Sequence, residues 1–105
     1  MSRLDTIKKM LEESPKDSFL NFALAKEFEK TGNIESALNS YLQLYSLDPE
    51  YVGLYYHLGK LYEEFEEFEK ALSIYDEGIA LCKKISDFHA LSELNNARTN
   101  CELEL

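Results

Sequence analysis

The feature that most constrains this chain is a repeat. Displaced by 34 residues, Ser18–Tyr51 aligns with Val52–Ile85 without a gap. Leu20, Leu24, Lys26, Glu29, Glu35, Ala37, Leu38, Tyr41 and Leu47 recur as Leu54, Leu58, Lys60, Glu63, Glu69, Ala71, Leu72, Tyr75 and Leu81. A fixed period of this length marks a supersecondary unit that buries its apolar face only against a neighbour. Each copy reads as two helices. In the second, Tyr55, Leu58, Tyr62 and Phe65 keep the three-and-four spacing of one helical face, and Phe68, Ala71, Leu72, Tyr75 and Ile79 form another. Between the helices of the first copy, Thr31-Gly32-Asn33 breaks the chain, with Gly32 suited to a left-handed cap and Asn33 to the next N-terminus. Asp48-Pro49 stops the second helix, because the residue before proline avoids helical angles.

Those residues resemble the tetratricopeptide repeat family. The second copy matches its pattern with Tyr55 in place of the usual tryptophan, then Leu58, Gly59, Tyr62, Ala71 and Tyr75. The first matches with Leu24, Ala25, Phe28, Gly32, Ala37, Tyr41 and Pro49. The resemblance implies an all-α fold, a right-handed stack of antiparallel helical hairpins with about five helices. Packing explains the residue types: helices approach closely only where small side chains face each other, so Gly59 is expected against Ala71, with large rings in the wider gaps. Two departures stand out. Glu66 replaces the turn glycine of the first copy, and Lys83 replaces its proline, so the last helix of the second copy should run on to about Lys84.

The flanks keep the period. Residues 2–13, with Leu4, Ile7, Met10 and Leu11 apolar and Ser2 as cap, read as an N-terminal half-repeat helix. Repeat one is 18–51 and repeat two 52–85. Residues 86–103 read as a C-terminal capping helix, with Ser86 as its cap and Phe88, Leu91, Leu94 and Ala97 on its apolar face. The whole of 1–105 is then one domain.

Composition narrows the class of activity. Twenty acidic against eleven basic residues give a net charge of −9, which opposes binding to nucleic acid or to an anionic membrane surface. No stretch approaches the roughly 20 apolar residues of a membrane span, and the N-terminus lacks a secretory pattern, so a cytoplasmic location is expected. Cys82 and Cys101 read as reduced thiols. His57 and His89 have no metal ligand at suitable spacing, and the run Glu63 to Glu69 reads as a solvated edge rather than a carboxylate cage. With no phosphate loop and no nucleophile motif, the chain is expected to be non-catalytic, without cofactor or metal.

The resemblance implies a protein–protein interaction module, an adaptor or scaffold whose first helices line a concave groove for a partner's peptide or helix. The family's groove positions fall on Phe19, Phe22, Ala23, Lys26, Glu29, Gly53, Tyr56, His57, Lys60 and Glu63. Lys26 and Lys60 repeat although no scaffold demands lysine there, and Phe22 and Tyr56 are aromatics beside them, a pairing suited to a carboxylate-bearing apolar peptide. Lys60 can instead pair with Glu63 or Glu64 along its helix. The set with which some family members hold chaperone C-termini is not reproduced: Lys26 and His57 stand where asparagine is wanted, and Phe22 replaces a lysine. The alternative is a homodimer, an assembly protein pairing through Phe88 and Leu91 or Leu4 and Ile7.

Overall fold

The computed structural model describes residues 2–105. They form six helices and no strand: α1 (Arg3–Glu13), α2 (Ser18–Lys30), α3 (Ile34–Leu47), α4 (Gly53–Glu64), α5 (Phe68–Ile85) and α6 (Phe88–Glu102). The all-α repeat expected from the sequence is observed, with six helices rather than about five. Two units divide the chain at Tyr51/Val52. The first holds α1 to α3, the second α4 to α6.

Side-chain caps set most helix starts. Ser2 Oγ accepts from the Asp5 amide, Asp17 from Leu20, Asn33 from Ser36 and Asp87 from Ala90. Each satisfies an amide that has no partner inside its helix. The cap of α6 is therefore Asp87, not Ser86. Ser86 has φ 60° and closes α5, donating its amide to the Cys82 carbonyl, and a residue committed to that left-handed turn is not available as an N-cap. Lacking a proline at Lys83, α5 runs 18 residues, whereas α3 runs 14.

In unit 1, α2 packs against both α1 and α3. Ile7 is buried, Arg3 pairs with the buried Glu27 at 3.3 Å, and the Lys8 ammonium lies 5.7 Å from the centre of the Phe28 ring. At the α1–α2 corner, the Asn21 side-chain amide donates to the carbonyls of Pro15 (3.1 Å) and Asp17 (2.8 Å). Ser18 donates to Asp48 at 2.6 Å, joining the start of α2 to the end of α3.

In unit 2, α5 lies against α4 and α6. A β-carbon built on Gly59 would stand 2.2 Å from Tyr75 Cε1. The small residue thus receives the Tyr75 ring, and this ring, rather than Ala71, is its nearest neighbour. Ala71 is itself fully buried. The Tyr75 hydroxyl donates to Glu63, and 34 residues earlier the Tyr41 hydroxyl donates to Glu29. Both tyrosines are fully buried. Leu94, Ala97 and Cys101 form the inner face of α6, but Phe88 is 70% exposed. It is the first residue of α6, whose first buried side chain is Leu94, so the apolar face starts later than its spacing predicts.

Both hairpin turns have the same backbone. Asn33 donates its amide to the Phe28 carbonyl and Glu67 to that of Tyr62, each at 2.8 Å. The left-handed position is Gly32 in one (φ 82°) and Glu66 in the other (φ 57°), a conformation costing a side-chain-bearing residue about 1 kcal/mol. Cys101 Sγ lies 3.6 Å from the Phe68 carbonyl, whereas Cys82 is fourteen residues further along α5, about 21 Å at the helical rise. No disulfide can join them within one chain.

Gly59→Ala is expected to destabilise the protein by about 3 kcal/mol through the Tyr75 overlap, against about 1 kcal/mol for Gly32→Ala, where only backbone angle is at stake. Urea titration checks the order, and equal losses would refute the close-contact account. Burial first, then the hydrogen bond and charge of the glutamate, hold the Tyr41 and Tyr75 phenols well above the ordinary tyrosine value. Their contribution is complete below the unfolded value near pH 10 and falls above it, by about 1.4 kcal/mol per pH unit for each tyrosine. The buried thiols add a loss of the same sign. Tyr75→Phe should remove one tyrosine's share of the slope while costing about 1 kcal/mol at neutral pH. Urea midpoints that stay level between pH 10 and 11 would contradict this.

Candidate functional site

On α2, Phe19, Phe22, Ala23 and Lys26 follow one helical face, as their spacing requires. Phe19 is 65% exposed, Lys26 is exposed and Ala23 is half-buried. Phe22 differs from an open groove aromatic. Its ring lies 5.2 Å from that of Tyr51 and 6.0 Å from that of Tyr41, and it is half-buried. Its first role is to cover the outer side of the α2–α3 core, leaving Phe19 as the accessible ring of that face.

On α4, Tyr56 and His57 are half-buried and meet edge to face at 5.5 Å. Lys60 is exposed, with its ammonium 3.9 Å from Glu63. At that distance, in water, the pairing is weak and leaves the lysine available to another carboxylate. Glu63 itself is turned inward: its carboxylate accepts from the buried Tyr75 hydroxyl, and only 16% of its side chain is exposed. Glu29 accepts from Tyr41 in the same way. Both glutamates therefore serve the hairpins. The sequence carried the signal, since glutamate and tyrosine recur together at the same offset, but spacing alone does not say that they meet.

Unit 2 adds residues that the sequence reading did not select. A polar cleft of about 210 Å³ opens between α4 and α6, lined by Tyr56, Lys60, Glu93, Asn96, Ala97 and Asn100. Asn96 and Asn100 are exposed and sit one turn apart on α6, so their amides present donors and acceptors on one side. Neutral amides, a phenol and the Lys60 ammonium can hold peptide groups and a carboxylate, with the exposed Glu93 carboxylate on the same lining. Among the described residues, no three His, Cys, Asp or Glu side chains converge as a metal site, and no helix is long and apolar enough to cross a membrane.

Comparison with known proteins places this arrangement. A TPR repeat family model matches residues 25–64, and a tetratricopeptide repeat model matches residues 52–85. A tetratricopeptide repeat domain protein from Salinibacter ruber is 41% identical, with a TM-score of 0.79 over 82% of this chain and 97% of that one. The TPR2B domain of yeast Sti1, solved in a complex with pHsp70, superposes with a TM-score of 0.89 at 15% identity, covering 97% of this chain and 82% of that one. Anaphase-promoting complex subunit 3 of Dictyostelium discoideum is 27% identical over 85 residues, 81% of this chain. The chain spans only 9% of that relative's length. With two repeat models and a close relative matched along nearly its full length, the chain belongs to the tetratricopeptide repeat family.

Proposed function

We propose that the chain is a non-catalytic interaction module in which the first helix of each repeat presents a face to a peptide or helix of a partner protein. Phe19, Ala23 and Lys26 on α2, and Tyr56, His57 and Lys60 on α4, are the residues assigned to this work. The observation that carries the reading is the α4–α6 cleft. There the exposed Lys60 ammonium, the Tyr56 phenol, two amides and the exposed Glu93 carboxylate share a concave surface with little apolar lining, a chemistry matched to the donors, acceptors and charges of a peptide. The superposition with a Sti1 domain solved in a complex with pHsp70 supports a protein-derived ligand in kind. It does not extend to a chaperone tail. In this chain Lys26 and His57 stand where asparagine is wanted in family members that hold chaperone C-termini, Phe22 is packed on Tyr41 and Tyr51, and the Asp87 carboxylate is occupied as the α6 cap.

The assembly reading changes in detail. Ile7 is buried within unit 1 and offers nothing to a second copy, whereas Phe88 stands open to water. Pairing through Phe88 predicts a dimer in sedimentation experiments that Phe88→Ser dissolves. For the interaction reading, Lys26→Glu together with Lys60→Glu should abolish capture of partner proteins from lysate, with an unchanged melting midpoint. Tyr56→Ala should weaken capture at least several-fold. Undiminished capture by both variants would remove these faces from the function.

A further inference from the structure

The two hairpin turns provide an internal control, because one fold is built twice from different residues. In the first, Thr31 donates its hydroxyl to the carbonyls of Glu27 and Phe28, Gly32 takes the left-handed position, and Asn33 caps α3. In the second, Phe65, Glu66 and Glu67 stand at those places. Phe65 is 44% exposed, Glu66 holds a left-handed conformation that glycine adopts more readily, and Glu67 makes no side-chain cap bond. Phe65 and Glu67 lack the side-chain hydrogen bonds that Thr31 and Asn33 make, Glu66 lacks the freedom of glycine, and the exchange places one apolar ring and two carboxylates at the surface.

The end of α6 adds a second observation. Backbone bonds from Leu103 to Thr99 (3.3 Å), from Glu104 to Cys101 (3.0 Å) and from Leu105 to Glu102 (3.2 Å) wind the last residues into a turn. This turn sets Leu105, 65% exposed, beside the start of α5. With Phe68 and the Glu66–Lys70 segment it lines an open cleft of about 410 Å³. Lys70 pairs with Glu67 at 2.8 Å, while Glu66 and Glu69 are exposed at the cleft margin. The cleft thus joins two apolar side chains, Phe68 and Leu105, to three carboxylates and one ammonium, a net negative lining.

We propose that this end of unit 2 is a second docking surface, taking a basic amphipathic segment of a partner protein. An apolar side chain of that segment enters between Phe68 and Leu105, and lysine or arginine heads meet Glu66 and Glu69. Charge complementarity selects the occupant: an acidic segment would be repelled by the rim, and an uncharged apolar one would leave the carboxylates without counter-ions. This surface differs from the α4–α6 cleft, where Lys60 and Glu93 share the lining with two amides.

A fluorescent peptide of alternating leucine and lysine pairs tests the proposal by polarisation. It should bind saturably, whereas peptides with glutamate for lysine, or with serine for leucine, should bind at least ten-fold more weakly. Replacing the turn by its sister (Phe65→Thr, Glu66→Gly, Glu67→Asn) should weaken binding ten-fold or more and leave the melting midpoint equal or higher. Leu105→Ser and Glu69→Gln provide independent readings should the turn variant fail to fold, each expected to weaken binding several-fold. Glu12→Gln with Glu13→Gln on α1 removes the same formal charge elsewhere. An equal loss in that variant would reduce the effect to bulk charge and overturn the proposal. So would unchanged affinity in the turn variant, or binding of the serine peptide as tightly as the leucine one.

Discussion

Each hairpin depends on one tyrosine packed where its partner helix is small. In unit 2 the Tyr75 ring occupies the space that Gly59 leaves open, and its hydroxyl reaches back to Glu63 on the same partner helix. In unit 1 Tyr41 bonds Glu29 in the same way, with Ala25 at the small position. The ring supplies apolar burial and the hydroxyl supplies direction. A phenol cannot be buried without a partner for its oxygen, so the glutamate one turn further along the first helix fixes how the second helix is rotated. Other contacts elaborate this one. Lys60 and Glu63 share a face of α4 through their three-residue spacing, and Glu63 is held there by the Tyr75 hydroxyl.

Much of this is legible as text because a period of 34 residues repeats the same solution. Small-against-large positions, the caps at Ser2 and Asn33, the left-handed Gly32 and the overrun of α5 past Lys83 all follow from local rules. What is not legible depends on direction in space. Glu63 counts as a surface residue by helical spacing, yet its carboxylate turns toward a phenol twelve residues away. Phe22 lies on the groove side by the same spacing, yet its ring packs against those of Tyr41 and Tyr51. Spacing assigns a face to a side chain; it does not say how far a long side chain leans around the helix. Asn96 and Asn100 were hidden for another reason. They look like the polar surface of a capping helix, and only the approach of α6 to α4 makes them one wall of a cleft.

The two units show how one scaffold carries separate chemistries. Packing spends the small and aromatic positions and leaves the rest open to change. Unit 1 spends its turn residues on hydrogen bonds and a glycine, while unit 2 spends the equivalent residues on surface character. The difference at Glu66 has a modest energetic cost, which a hairpin as well buried as α4–α5 can bear.

The corner before α2 has a mechanical consequence. The Asn21 amide grips the carbonyls of both Pro15 and Asp17, so the link between α1 and α2 is shaped by a side chain of the helix that follows it. Such a joint does not act as a pivot. With Arg3 and Lys8 in contact with Glu27 and Phe28 further along, α1 meets α2 at the corner and again along its length.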